Sequence, residues 1–427
     1  MFPKHTFPLF LAMAGLGFAA EPSLPEPSQL PVHPELPDLL TSQDGKRVET
    51  KEQWTTGRAP ELRRLLLNYE YGVLPAKPEQ FESKVLRVDK NAFGGKATLK
   101  ELEIRCTKPD ARVHLMVVVP NKAGKPAACF LGMNFNGNYA LVNDPLVQMP
   151  FNWTPPPAGS PEVVRGKEVE SWNIEKTIDR GYAVATFYSG DVLLDKAEVA
   201  REKLKQFVPP GKSADDADAP ATIGTWSWGF SRVIDYLVTD ADIDGKRIAV
   251  VGHSRNGKTA LLAAAMDTRV ALAIPSQAGC GGSAPCRMVP ELAAPQGTNG
   301  RPTAETVAVI NKNFPHWFCA NFKAFNTAVD KLPFDQHALV ALCAPRPVLF
   351  STAAEDLWAN PSGQFDMLCA ADPVYRLVSG DGIATKTFPE IGKLIDSRLG
   401  YFMRPGKHSM SGVDWSAWLD YADKWLK

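Results

Sequence analysis

The chain predicts an α/β fold, a three-layer αβα sandwich with a mostly parallel central sheet. Three observations carry that prediction. Strand-like and helix-like runs alternate through most of the 427 residues. Residues 247–251 (RIAVV) are apolar enough for a strand buried on both faces. Residues 259–266 (TALLAAAM) are small and apolar on nearly every side, as a core helix would be.

The elements follow in order. Residues 1–20 carry Lys4 and His5, an apolar run, then Ala19-Ala20 before Glu21, the layout of a secretory signal peptide cleaved near Ala20. That leader implies a secreted or periplasmic protein. Residues 21–60 begin Pro-rich and read as an extended N-terminal arm; 61–427 read as a single catalytic domain. Residues 113–119 (VHLMVVV) form a strand ended by Pro120, and 128–135 (ACFLGMNF) a second ending at Asn136-Gly137. Residues 182–188 (YAVATFY) form a third. Phe230, Val233, Ile234 and Leu237 share one helix face. Asp244-Gly245 turns the chain into 247–251. Further strands are expected at 270–274 and 347–351, and a closing helix at 414–426.

Composition excludes several function classes. The 47 basic and 47 acidic residues cancel, so no excess of Lys and Arg marks a nucleic-acid surface. No run after the leader approaches the ~18 apolar residues of a membrane span. The seven cysteines show no zinc spacing. Cys280 and Cys286 flank a Gly-rich loop, where they either pair or stay as buried thiols. A monomer is the expectation.

The run 247–266 is a strand, a Gly-rich turn and a helix, and two mechanisms use that arrangement. Gly252-x-x-x-x-Gly257-Lys258-Thr259 fits a phosphate-binding loop. The same turn holds Ser254 where the α/β-hydrolase fold puts its nucleophile elbow. Three features favour the elbow: the export leader, the position past mid-chain, and acid and histidine candidates following in the order Ser…Asp/Glu…His. Asn256 departs from G-x-S-x-G.

Serine is a weak nucleophile and needs a base. Of seven histidines, His5 lies in the leader, His33 in the arm, and His253 beside the serine is expected to point elsewhere. His408 follows the last expected strand in a loop before the final helix, where hydrolases put their base. The base needs a carboxylate to fix its tautomer. Residues 347–356 supply a strand followed by Glu355-Asp356; Asp356 is the preferred acid and Glu355 the reserve.

Residues 225–285 (TWSWGFSR…GHSRNGK…GCGGSAP), 314–322 (FPHWFCANF), 332–361 (LPFDQHALVALCAPRPVLFSTAAEDLWANP) and 406–411 (GKHSMS) resemble the glucuronoyl esterases, carbohydrate esterase family 15. The resemblance implies an α/β-hydrolase that cleaves esters between 4-O-methyl-glucuronic acid of xylan and lignin alcohols, with no metal or other cofactor. It implies Ser254 as nucleophile, His408 as base, Arg255 as an oxyanion donor, and Lys258, Trp358 and Glu305 as sugar-binding residues. Gln277 stands where fungal members carry the acid, so this chain would have to use 355–356. His253 replaces a fungal Cys. Trp317 also suits a sugar face. Two rivals remain at this point besides the phosphate loop: another secreted carbohydrate esterase of the acetyl-xylan type, and a polysaccharide-binding relative that has lost its acid.

Overall fold

The computed structural model describes residues 23–122, 126–151, 164–287 and 304–427. The leader and its cleavage point lie outside these residues.

Strands β1 (Gln80–Asn91), β2 (Ala97–Thr107), β3 (Ala111–Pro120), β4 (Ala127–Asn134), β5 (Ala183–Tyr188), β6 (Ile243–His253), β7 (Val270–Ser276), β8 (Val348–Ala353) and β9 (Leu399–Arg404) form one sheet. Their order is β1-β2-β3-β5-β4-β6-β7-β8-β9. The pairings β1–β2, β2–β3 and β3–β5 are antiparallel. From β5 to β9 every pairing is parallel. The sheet is therefore mostly parallel, as expected, with an antiparallel flank.

Alternating side chains on the strands feed two cores. Val117, Leu131, Val250 and Phe350 pack in one, while Val118, Phe130, Val251 and Leu349 pack in the other. This is how both faces of a central sheet become covered. The helix Thr222–Leu237 buries the four expected face residues completely. The helix Gly412–Leu426 covers the opposite face with Trp415, Trp418 and Tyr421.

Three strands were not expected. β1 is exposed along most of its length and rich in charge, so it shows no apolar signal. Its partner β2 alternates, with Leu99, Leu102, Ile104 and Cys106 buried. β9 was hidden because its six residues include Gly400 and Arg404, yet all six are buried.

Helical structure also begins earlier than residue 61. Thr50 Oγ1 accepts from Gln53 N at 3.1 Å while Gln53 Oε1 accepts from Thr50 N at 3.1 Å, a reciprocal cap that starts the helical run at Lys51. The Pro-rich arm is docked. Tyr69 donates to Pro25 O at 2.6 Å, Arg287 Nε to His33 O at 3.1 Å, and His33 N to Asp330 O at 2.6 Å. Lys331 Nζ donates to Ser28 O at 2.9 Å, and His337 Nε2 meets Pro37 O at 2.9 Å. All seven cysteines are free thiols, so Cys280 and Cys286 do not pair, and only Cys369 is partly exposed. Among the described residues no helix is long and apolar enough to cross a membrane.

Candidate active site

In parallel sheets, ligands meet the loops at the carboxyl ends of the strands. Those ends carry the candidate residues here. Phe135 follows β4, Asp195 lies beyond β5, Ser254 follows β6 and Gln277 follows β7. Glu355-Asp356 follow β8 and His408 follows β9.

Ser254 joins β6 to the helix Arg255–Met266 with φ 58° and ψ −126°. That strained backbone projects a side chain from a sharp strand-to-helix turn, as a nucleophile elbow requires. Close backbone approach explains the glycines. A Cβ on Gly252 would sit 2.1 Å from Asn256 O; one on Gly257 would sit 2.9 Å from Gly252 O and 3.0 Å from Ser276 O. The second glycine is thus needed at 257, not 256. Asn256 is accommodated because its side chain turns away and Nδ2 donates to Met133 O at 2.8 Å.

The same geometry argues against a phosphate cradle. Ser254 N is already spent on Ser276 O at 2.9 Å. Lys258 Nζ is buried and donates to Ala278 O and Cys280 O, both at 2.5 Å. A phosphate there would face two carbonyl oxygens.

His408 Nδ1 lies 2.6 Å from Asp356 Oδ2. Asp356 is 4% exposed, whereas Glu355 is at the surface, so the reserve carboxylate is not the one that meets the histidine. The His408 side chain is 41% exposed and open to an incoming substrate. His253 does not point elsewhere. Its ring centroid is 4.5 Å from that of His408 and 6.4 Å from that of Phe135. Burial, then the nearby charges of His408, Arg404 and Arg255, push the His253 imidazole down to about 3, so it is neutral at ordinary pH.

Arg255 is paired with Asp195 and lies over the rings of Phe135 and Trp317, 5.4 and 5.3 Å from their centroids. Asp195 also accepts from His316 Nε2 at 2.8 Å and from Trp317 Nε1 at 2.7 Å. Burial raises the Asp195 carboxyl, but these bonds and the Arg255 charge outweigh it and hold it below the usual range. Trp317 is 3% exposed and stacks on Phe314 at 3.7 Å, so its expected place on a sugar face is corrected: it orients Asp195.

Trp358, in contrast, is 48% exposed. Its backbone O accepts from Glu305 N at 3.0 Å. Glu305 Oε2 is 3.7 Å from Lys258 Nζ, and burial pushes its carboxyl up despite that cation. Lys258, Glu305 and Trp358 therefore converge beside the elbow. Lys258 keeps only one of its three N–H groups free of backbone oxygens.

Asp195, His316 and Arg404 escaped sequence reading, and Gln277 was noted only for standing in the place of an acid. Asp195 and Gln277 come after strand ends, which does not separate them from ordinary loop residues; Arg404 closes β9 and His316 lies between two helices, where the sequence carries no such signal.

The chain is similar to known carbohydrate esterases. Residues 150–379 match a family model described as fungal glucuronyl esterase. A carbohydrate esterase, MZ0003, from an unknown prokaryotic organism is 39% identical over 400 residues, covering 91% of this chain and 89% of that protein. The 4-O-methyl-glucuronoyl methylesterase of Cerrena unicolor is 28% identical over 84% of this chain and 64% of its own length, so this chain spans under two thirds of that relative. A solved structure of a promiscuous CE15 esterase from a marine bacterial metagenome superposes with a TM-score of 0.80 at 37% identity, covering 94% of this chain and 99% of that one.

Proposed function

The chain belongs to the glucuronoyl esterases of carbohydrate esterase family 15, carboxylic ester hydrolases of the α/β-hydrolase fold, and from that premise we propose that Ser254, His408 and Asp356 are its triad. The observation that carries the reading is the 2.6 Å contact of His408 Nδ1 with buried Asp356. It supplies the acid and base half of the triad.

Asp356 holds the proton on Nδ1, which leaves Nε2 as the free base. Nε2 takes the Ser254 hydroxyl proton as Oγ attacks the ester carbonyl carbon. The carbonyl oxygen becomes an oxyanion, met by the Arg255 guanidinium. The tetrahedral intermediate collapses, the C–O bond to the alcohol breaks, and His408 returns its proton to the leaving oxygen. Water, deprotonated by the same imidazole, then releases the acid and frees Ser254. Asp356 stabilises the imidazolium in both halves without taking its proton.

The substrate follows from the family: esters joining (4-O-methyl-)glucuronic acid of xylan to lignin alcohols. Trp358 offers an exposed ring for a sugar face, and Glu305 with Lys258 offers polar partners for its hydroxyls. Export through the residue 1–20 leader and action as a monomer complete the proposal.

Hydrolysis of benzyl glucuronate against an acetylated xyloside tests it. Turnover of the uronate ester is expected to dominate; activity only on the acetyl ester would move the chain to the acetyl-xylan type. Ser254→Ala and His408→Ala should each remove about 10⁴-fold or more of kcat. Glycan binding with no esterase activity in the wild type would favour the inactive relative.

A further inference from the structure

The histidine loop carries few backbone bonds of its own, and its conformation is set by side chains reaching in from elsewhere. Gln277 is the most distant of these. It sits just past β7 with φ 50°, is 1% exposed, and its N donates to Ser351 O of β8 at 2.8 Å. Both ends of its amide are used on one residue. Ser409 N donates to Gln277 Oε1 at 3.0 Å, and Gln277 Nε2 donates to Ser409 O at 2.7 Å. Ser409 N belongs to the peptide bond made with His408. Fixing it fixes the backbone from which the imidazole hangs.

Arg404 shares the task. Its Nη2 donates to Ser409 O at 2.6 Å and to Lys407 O at 3.0 Å, while its Nε is held by Asp414 at 2.8 Å. Ser409 O thus accepts from two directions, but Ser409 N has only the Gln277 oxygen.

We propose that Gln277 is a positioning residue, a neutral clamp that reads both the N–H and the C=O of Ser409 and so aims His408 between Asp356 and Ser254. A side-chain amide of this length supplies a donor and an acceptor together. A carboxylate supplies only acceptors. In Gln277→Glu the bond to Ser409 O is lost, and a buried lone pair faces that oxygen at the same short range. The clamp therefore excludes a second acid: Asp356 alone serves the base, and a carboxylate at 277 disturbs it. The inference rests on His408 being the base.

The experiment uses full-length wild type, Gln277→Ala, Gln277→Glu, Asp356→Asn, the Asp356→Asn/Gln277→Glu pair, and His408→Ala. Benzyl glucuronate hydrolysis is resolved into kcat and KM, and the downfield proton resonance of His408 Nδ1–H is recorded. Misaiming a base by about 1 Å costs on the order of 10²-fold, so a partial loss of aim in Gln277→Ala should lower kcat about tenfold or more with KM within about twofold. The Nδ1–H resonance should shift or broaden. Gln277→Glu should fall at least as far, and the double variant should be no more active than Asp356→Asn. Wild-type kcat with an unmoved resonance in Gln277→Ala would overturn the clamp. So would a double variant that recovers activity above Asp356→Asn. If Gln277→Ala does not fold, the near-isosteric Gln277→Glu decides on the same readouts. An active His408→Ala would sink the parent reading, whereas an inactive His408→Ala beside a fully active Gln277→Ala sinks the clamp alone.

Discussion

The serine turn and the histidine loop sit side by side, yet they are held in opposite ways. The turn is held by crowding. Gly252, Gly257 and Ser276 bring three backbones so close that no side chain fits between them. Its restraints are steric and come mostly from residues a few positions apart. The histidine loop is held by polar side chains: Asp356, Arg404 and Gln277, of which Gln277 is 132 residues distant from Ser409 in the chain. Crowding makes a turn that fails by disrupting the fold. Polar clamps make a loop that can fail in activity while the fold stands.

That contrast can be broken first at the turn. Gly252→Ala places a methyl 2.1 Å from a backbone oxygen that cannot swing aside. Its folding stability should drop by about 3 kcal/mol or more, read by denaturant unfolding, with activity lost alongside. A stable, inactive Gly252→Ala would show that the turn is not over-determined.

The loop is expected to behave otherwise. Asp356→Asn should lower kcat about 10³-fold or more while the unfolding midpoint moves little, because the histidine tautomer is lost but the packing stays. Glu355→Gln should stay within about twofold, since that carboxylate is exposed and meets no part of the histidine. The reverse ranking would assign the acid to Glu355.

Between these sits Arg255, which belongs to the turn but is aimed by Asp195. Asp195→Asn should cut kcat by about tenfold, less than the ~10²–10³ for full removal of an oxyanion donor. No change in kcat would mean that the aromatic rings alone hold the guanidinium.

The last of these effects concerns pH. His253 is held far below its unfolded value of 6.5, at about 3. The unfolded chain therefore binds a proton between those values that the folded chain does not, so stability falls as pH drops from about 6.5 towards 3. His253→Phe should flatten that part of the unfolding-midpoint profile. An unchanged slope would mean that the ring protonates in the folded state.

The same contrast explains what was legible in the sequence. The turn is local, so seven consecutive letters, Gly252 to Lys258, were enough to put Ser254 on a sharp strand-to-helix turn. The parallel strands were legible because burial on both faces leaves unbroken apolar runs such as 248–251. His408 was found by its place in the order. Asp195 acts across 60 to 122 residues on the side chains of Arg255, His316 and Trp317, a separation the sequence does not bridge. Gln277 acts across 132 residues on Ser409, and Arg404 across a few on Lys407 and Ser409, in both cases on backbone atoms, which leave no letter behind. His253 was misread because a sequence does not say that β9 brings a second ring alongside it. β1 went unseen for a different reason: an edge strand facing water has no apolar stripe to show.

The docked arm has a consequence for the order of events during synthesis. Ser28, His33 and Pro37 find their partners at Lys331, Arg287 and His337, 254 to 303 residues further on. This arm therefore cannot reach its final place until residues 287–337 have been made. Contacts of that span are slow to form, because a long loop must close before they yield anything. The arm works as a late fastening: it closes over a segment already in place, where His33 O accepts from the same Arg287 that pairs with Asp335 at 3.3 Å.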